Sequence, residues 1–173
     1  MTAATGACGL ARQYLRAALA ASSSFQTWCS EEDGTGALTH IFYDALPPPA
    51  SSAEVYSAAE VASYWPYAVI YLLDYMRERD SHDAFRAGGQ FGIQLCQQVA
   101  AGDVADPDEI AVKLLNSVEA IITDLESLIN MAGYLDFDGI SIAGPPRRSH
   151  PDDVAGSRDE IEIGLIVGWG GGE

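Results

Sequence analysis

The clearest hydrophobic pattern of the chain runs from Asp106 to Gly133. Aliphatic residues recur there at spacings of three and four, which places them on one stripe of a helix. The stripe consists of Ala111, Leu114, Leu115, Val118, Ile121, Ile122, Leu125, Leu128, Ile129 and Ala132. Asp106 suits the N-cap position and Pro107 the first helical position, and Gly133 suits the left-handed residue that follows a helix. The pattern predicts one long helix over about 106–132.

This stripe needs a partner surface. Burial of about eight large aliphatic side chains stabilises by on the order of 12–24 kcal/mol before conformational entropy is subtracted. Four segments near the helix are rich in apolar residues, namely 67–73 and 90–98 before it and 135–143 and 159–169 after it. We therefore predict an α+β domain in which an antiparallel or mixed β-sheet packs against the long helix.

The two segments before the long helix predict a hairpin. Residues 67–73 form a near-continuous apolar run rich in β-formers, and residues 85–99 return with partial alternation. The segment 74–83 between them is charged and contains Arg77 and Arg79. We expect that segment to be a hairpin tip on the surface.

The two segments after the long helix predict two further strands. Residues 135–143 are interrupted at Asp138–Gly139, which suits a bulge or a turn. Residues 160–169 alternate most clearly, with aliphatic residues on one face and Glu160, Glu162 and Ile166 on the other. The intervening residues 144–158 predict a long polar loop.

The N-terminal part predicts a helix. Leu10–Trp28 carries a helical apolar stripe, which the serines at 22–24 could break, so that a further turn would bring Phe25 and Trp28 together. Segment 39–46 is either a strand or a helical turn that runs into one.

A second, short helix is predicted near the middle of the chain. Ser57–Glu60 matches a capping box, so a helix through Tyr64 should follow, and Pro66 should end it. The length of 173 residues suits one domain over 1–173. We expect flexible ends at 1–8 and 170–173 and loop insertions at 47–56 and 144–158.

Composition narrows the classes of function. The formal net charge is −16 and the isoelectric point is near 4.2, so the chain should not bind nucleic acid by neutralising phosphates. The three cysteines, Cys8, Cys29 and Cys96, lie far apart in the sequence. We expect them to be reduced thiols, with Cys96 in a buried strand. No apolar run approaches the roughly 20 residues of a membrane span, and the first residues lack the pattern of a signal peptide. We therefore expect a cytoplasmic setting.

The sequence predicts no catalytic, cofactor or metal site. His40, His82 and His150 lie far apart and show no ligand spacing. Nucleophile motifs of the GxSxG type and phosphate-binding glycine loops are also absent. An enzyme whose groups are assembled in space stays an alternative, and it should show a concave pocket with convergent titrating groups.

Two arginines stand out in a chain with only nine cationic residues. Arg147 and Arg148 lie in the predicted loop, where they could dock an acidic partner by bidentate contacts. They could equally neutralise neighbouring acids of this chain. Arg77 and Arg79 of the predicted hairpin tip are the other candidate interface residues.

The order of the predicted elements resembles that of the tail-terminator proteins of long-tailed bacteriophages. The shared features are an N-terminal helix, strands before a central long helix, and a final strand with an acidic-aliphatic run that ends in Trp-Gly, here Glu160 to Gly170. The resemblance covers about Leu10 to Gly170 and has no matching feature for the polar segment 43–56.

This resemblance implies a structural role in a virion, without catalytic residues or cofactors. Family members form a hexameric ring at the head-proximal end of the tail tube, where the ring stops tube growth and meets the head connector. Genomic DNA passes through the ring, and an acidic lumen would repel its phosphates. The chain would then be located in the virion neck after assembly in the host cytoplasm, and the four arginines would contact neighbouring subunits through heterologous patches.

Two other functions stay open at this stage. The chain could be an acidic interaction module, such as a DNA mimic or an inhibitor, and it would then be monomeric or dimeric and bind a basic partner. It could also be another neck or tail-completion component with the same fold.

Overall fold

The computed structural model describes residues 6–47, 56–79, 85–99, 107–129, 135–149, 154–155 and 160–172. It confirms the predicted α+β class. The helices are α1 (Ala7–Ala21), α2 (Ser23–Cys29), α3 (Gly34–Ala37), a 3-10 turn (Leu38–His40), α4 (Ala58–Ala62) and α5 (Pro107–Ile129). The strands are β1 (Ile41–Tyr43), β2 (Tyr56–Ser57), β3 (Tyr67–Arg79), β4 (Phe85–Gln98), β5 (Leu135–Ile142), β6 (Arg147–Ser149), β7 (Val154–Ala155) and β8 (Glu160–Gly172).

The main sheet is mixed. Its strand order is β1-β3-β4-β8-β5, and β1 runs parallel to β3 while the other neighbours are antiparallel. β8 pairs with β4 along the whole length of β8, from Glu160 to Gly172. β5 and β6 therefore both pair with the other edge of β8, where they occupy successive parts of that strand. β2 and β7 form a separate parallel pair.

One face of this sheet forms the core with the helices. The predicted stripe of α5 is buried at its centre, where Leu114, Val118, Ile121 and Leu125 are fully covered. α5 lies beside α1 and α2 and also contacts β5. The alternating aliphatic residues of β8 are buried on the same face, as predicted: Ile161, Ile163, Leu165 and Val167. The predicted caps at Asp106 and Gly133 lie outside the described residues.

The break in the N-terminal helix occurs at Ser22. Its hydroxyl accepts a hydrogen bond from the Phe25 amide and so caps α2, and Phe25 and Trp28 lie with ring centroids 5.6 Å apart, as predicted. The Asp124 carboxylate of α5 accepts bonds of 2.9 Å from the Ser24 amide and of 2.9 and 3.1 Å from the hydroxyls of Ser22 and Ser23. These bonds, that of the Ser24 amide first, lower the pKa of Asp124. They fix the start of α2 against α5.

Segment 39–46 begins as a helical turn and continues into a strand, which was one of the two predicted alternatives. His40 closes that turn and is buried. Its Nδ1 lies 3.0 Å from the Tyr64 carbonyl oxygen and 2.8 Å from that of Pro66, and its Nε2 lies 3.1 Å from Glu31 Oε1. Because carbonyl oxygens only accept, Nδ1 carries a proton. His40 therefore joins three segments of the fold.

The predicted hairpin tip at 74–83 was wrong in its extent, because residues 74–79 belong to a strand. β3 continues to Arg79 and pairs with β4 as far as Phe85, with a bulge between Leu72 and Asp74. Charged residues are compatible with the later part of this strand, because backbone groups make the strand pairing and the side chains of residues 72–78 are exposed. Gly89 lies opposite Tyr75, next to the bulge, and a Cβ there would overlap the Asp74 carbonyl oxygen.

Two C-terminal segments predicted to be irregular are strands instead. Arg147–Ser149 pair with β8, because β5 ends earlier and leaves that part of β8 available. Gly170–Gly172, expected to be a flexible end, extend β8 between β4 and β5. The predicted irregularity at Asp138–Gly139 is a bulge, in which Gly139 has a φ of 114° that favours glycine. Among the described residues, no helix has the length and apolar character to span a membrane.

Candidate functional site

The far half of the β3–β4 hairpin exposes four large apolar side chains. Leu72, Leu73, Tyr75 and Met76 are 44%, 46%, 44% and 55% exposed, directly after the buried start of β3. Scattered apolar residues on a surface are ordinary, whereas a contiguous group marks an interaction surface. We call these four residues the hairpin patch.

The register of the hairpin explains why this patch is open. Tyr75 lies opposite Gly89 and Met76 opposite Gly88, so β4 offers no side chain that could cover them. Tyr75 stacks on the buried Trp169 at 6.3 Å between ring centroids. Successive residues of a strand point to opposite faces, so Met76 faces away from Trp169. The patch therefore reaches both faces of the hairpin.

Charges of both signs surround the hairpin patch. Arg77 follows it on β3, and Arg86 lies on β4 opposite Glu78; both arginine side chains are exposed. Asp74 and Glu78 of β3 are exposed as well, so these two arginines do not make the region basic. Arg79 ends β3, and its side chain lies outside the described residues.

The structure does not bring the four predicted interface arginines together. Arg147 lies on β6 opposite Glu162, whereas Arg77 lies opposite Ala87, which pairs with Gly171 of β8. Nine residues of β8 separate these positions, or about 30 Å along the strand. Arg147 and Arg148 also occupy a strand rather than a loop tip. The predicted interface residues therefore lie on two separate surfaces, one on β3 and one on β6.

Arg147 contributes to a cleft on the sheet face that points away from the helices. The cleft has a volume of about 200 Å³, and Tyr71, Gln94, Glu162 and Gly164 also line it. Gln94 Nε2 donates to Glu162 Oε2. Opposite positions on antiparallel strands place side chains within reach of each other, so Arg147 is positioned to offset the charge of Glu162.

A buried polar cluster lies next to this cleft. Cys96, Glu160 and Glu162 bring their thiol and carboxylate atoms within 4.8 Å of one another, and Cys96 and Glu160 are only 1% and 7% exposed. Glu160 Oε2 accepts hydrogen bonds from Tyr67 Oη at 3.2 Å and from Trp65 Nε1 at 3.3 Å. The cluster is therefore a hydrogen-bonded polar core for this face of the sheet.

Electrostatics keep the donors of this cluster protonated. Burial, with a smaller contribution from Glu160, raises the pKa of the Cys96 thiol well above its ordinary 9.0. Burial also raises the pKa of Tyr67 well above 10.0, and Cys96 and Glu160 add to this effect. A neutral buried thiol is a weak nucleophile and a weak metal ligand. The arrangement favours a structural role.

Sequence reasoning missed this cluster because its members come from three strands that are distant in the chain. Glu160 and Glu162 were correctly placed on the opposite face from the aliphatic residues of β8, but the alternation alone does not show what covers that face. Trp65 and Tyr67 cover it. The available signal was the position of Trp65 and Tyr67 on both sides of Pro66, immediately before a buried strand.

Loss of the Glu160 carboxylate should destabilise the fold measurably. We expect Glu160→Ala to lower the free energy of unfolding by about 2 kcal/mol, because the buried Tyr67 hydroxyl and the half-buried Trp65 indole would lose their acceptor. Glu160→Gln keeps an acceptor oxygen and should cost much less. Urea unfolding of both variants measures the difference, and equal stability of the two would contradict this role.

An open groove of about 510 Å³ lies between α1 and α3. Two of its polar side chains bond to the fold: Asp33 accepts from the Thr35 and Gly36 amides at the start of α3, and Arg16 donates to the Leu38 carbonyl oxygen at 2.9 Å. The Nε of Arg16 is buried without a hydrogen-bond partner among the described residues. Much of the remaining lining is alanine. Its titratable side chains are those of Arg16, Asp33 and Tyr43, and burial raises the pKa of Tyr43 although Arg16 and Arg12 oppose the rise.

Comparison with protein-family models gives no match. No curated protein matches the sequence either. Among solved structures, the chain is similar to a chain in a structure titled "Virion of native gene transfer agent (GTA) particle". The two share 13% sequence identity with a TM-score of 0.42, over 97% of this chain and 100% of the other.

Proposed function

We propose that this protein is a virion structural subunit, a tail terminator that forms a ring at the head-proximal end of a phage tail tube. The ring would stop tube growth and join the tail to the head connector while DNA passes through. The observation that carries the proposal is the hairpin patch, because four large apolar side chains exposed within five residues of one strand indicate a surface that a partner covers.

Two further features support this function. The elements follow the order expected from the resemblance, with N-terminal helices, strands before α5, and a last strand that contains Trp169 and Gly170. The net charge of −16 suits a channel through which DNA slides without binding. We propose a non-catalytic role, because the resemblance implies no catalytic residues and the buried Glu160 cluster bonds within the fold.

The native mass of the purified chain tests the proposal. We expect a closed assembly that is a multiple of the 18.4 kDa subunit, with six copies implied by the resemblance. Added to polymerising tail-tube subunits of the same phage, it should shorten the tubes. A chain that stays monomeric at all concentrations and leaves tube length unchanged would overturn the proposal.

The acidic-module alternative rests on the net charge. Such a module would remain monomeric or dimeric and bind a basic partner, so the same mass measurement separates the two functions.

Charge reversal on β6 gives a more local test. We expect Arg147→Glu combined with Arg148→Glu to weaken assembly or binding to the tube or connector, because both positions lie at the exposed edge of the sheet. Lys113→Glu, an exposed charge reversal on α5, is the control. If size-exclusion chromatography and binding assays show no difference between these variants, β6 is not an interface.

A further inference from the structure

We propose that the outer edge of β5 pairs antiparallel with the same edge of a second copy of this chain, so that the two sheets join across a two-fold axis at Ser141. β5 is the last strand of the main sheet, and no described strand pairs with the side of β5 that faces away from β8. An open sheet edge presents backbone donors and acceptors to which another strand can add. This contact goes beyond the proposed function and concerns the chain alone.

The hydrogen bonds between β5 and β8 show which backbone groups are open. The Ala143 amide donates to the Gly164 carbonyl oxygen at 2.8 Å. Along an antiparallel pair, opposite residues alternate between hydrogen-bonded and non-hydrogen-bonded positions. With the register of these strands, Ser141 is therefore also bonded to β8, whereas Ile140 and Ile142 occupy the intervening positions. The N–H and C=O groups of the two isoleucines point to the outer edge.

The sequence around Ser141 is nearly the same in both directions. Residues 139–143 read glycine, isoleucine, serine, isoleucine and alanine. Two antiparallel copies centred on Ser141 place Ile140 of one copy opposite Ile142 of the other. Because both residues have outward backbone groups, the two Ile–Ile pairs form the hydrogen-bonded positions of a new antiparallel ladder. This agreement between the sequence and the direction of the backbone groups selects a second copy as the occupant.

The side chains on both faces suit the same pairing. Ile140 and Ile142 lie on the core side of the sheet, because their register partners Val167 and Leu165 are fully buried there. Ile142 is nevertheless 39% exposed, and Ile140 is only partly buried. Pairing joins the isoleucines of both copies into one apolar cluster that continues the two cores. Ser141 is exposed on the other face, where it meets the serine of the second copy.

The open edge is uncharged, although the protein is acidic. Residues 139–146 include no acidic or basic side chain, whereas the whole chain has a net charge of −16. The nearest acid, Asp138, would lie next to Gly144 of the second copy, so carboxylates do not meet across the axis. Natural sheet edges are commonly blocked by charges, prolines or bulges. Here the bulge at Asp138 and the prolines at 145 and 146 border the edge and leave 139–143 open.

Disulfide cross-linking tests the register. We expect Ser141→Cys to give a disulfide-linked dimer under mild oxidation, because residues on the axis would have Cα atoms about 4.5 Å apart, within the range of a disulfide. Ala143→Cys is the matched control on the same exposed strand, since its two copies would be about 14 Å apart along the strands. It should give at least roughly tenfold less dimer, as should the unaltered chain. Non-reducing electrophoresis and intact mass measure the products.

A proline substitution tests the backbone bonds. Ile142→Pro removes an outward N–H and leaves the hydrogen bonds to β8 in place, so the chain should stay folded by circular dichroism. We expect it to weaken self-association by at least roughly 100-fold, because both copies lose a donor and leave an acceptor unpaired. Ile142→Ala keeps the N–H and should weaken association less. Analytical ultracentrifugation measures both variants, and association of Ile142→Pro equal to that of the unaltered chain would overturn the pairing.

The outcomes separate this inference from the proposed function, because a two-fold contact is isologous whereas a ring needs heterologous contacts. A ring whose Ser141→Cys variant cross-links no better than Ala143→Cys overturns the pairing and leaves the tail terminator standing. A dimer that cross-links through position 141 and never forms a larger assembly supports the pairing and overturns the ring. An unaltered chain that stays monomeric at all concentrations, with no cross-link at position 141, overturns both.

Discussion

Substitution of Trp169 by alanine should lower the free energy of unfolding by about 3–5 kcal/mol, the usual cost of deleting a buried aromatic side chain. Trp169 is 1% exposed and stacks on Phe91 at 5.7 Å and on Tyr75 at 6.3 Å. Its removal would leave a cavity under the hairpin and free one side of Tyr75. Trp169 therefore connects the stability of the core to the shape of the hairpin patch.

Urea unfolding followed by circular dichroism measures this loss. Trp169→Phe is the matched control, because it keeps an aromatic stack and removes the indole N–H, which is buried without a hydrogen-bond partner. Since no hydrogen bond is lost, we expect this variant to lose less than about 1.5 kcal/mol. A Trp169→Ala variant within about 1 kcal/mol of the unaltered chain would contradict the packing role.

Alkaline pH should destabilise the protein steeply. Burial, with a smaller contribution from Glu31, raises the pKa of the Cys29 thiol from 9.0 to about 12. Between pH 9 and 12 the unfolded chain has lost a proton that the folded chain keeps, so unfolding releases a proton. The stability from this group is complete below pH 9 and falls by about 1.4 kcal/mol per pH unit toward pH 12.

Tyr67 and Cys96 act in the same direction, because burial raises the pKa of both side chains from their ordinary values of 10.0 and 9.0. The decline should therefore steepen above pH 10. Unfolding free energies measured at intervals from pH 8 to 11 test this.

A cysteine pair provides the control for the alkaline effect. Cys29→Ala should reduce the slope above pH 9 by about 1.4 kcal/mol per pH unit, the contribution of one proton. Cys8→Ala should change it less, because Cys8 is only half-buried and Arg12 opposes the rise of its pKa. Identical slopes in both variants would contradict the assignment to Cys29.

Local patterns predicted most of the secondary structure because each element carries its own signal. The α5 stripe and the alternation of β8 are periodic over many residues, and the serines at 22–24 mark a real helix break. Element order and fold class followed from these signals. The extent of β3 could not be predicted, because Arg77 and Glu78 pair with β4 through backbone groups, and such pairing does not require apolar side chains.

The candidate surfaces were only partly predictable for a related reason. Arg77 was selected because cations are rare in this chain, but exposure of the preceding apolar residues depends on where the helix layer ends. Such information is tertiary.

The central position of β8 has a consequence for how the chain acquires its structure. Gln98 pairs with Glu160 and Arg86 with Gly172, so the middle of the sheet is built from strands that are far apart in the chain. Until β8 is available, β4 has an open edge to which another nascent chain could add a strand. Folding should therefore be slow for a domain of this size, and the unpaired edge of β4 is a site of incorrect strand pairing until β8 has been synthesised.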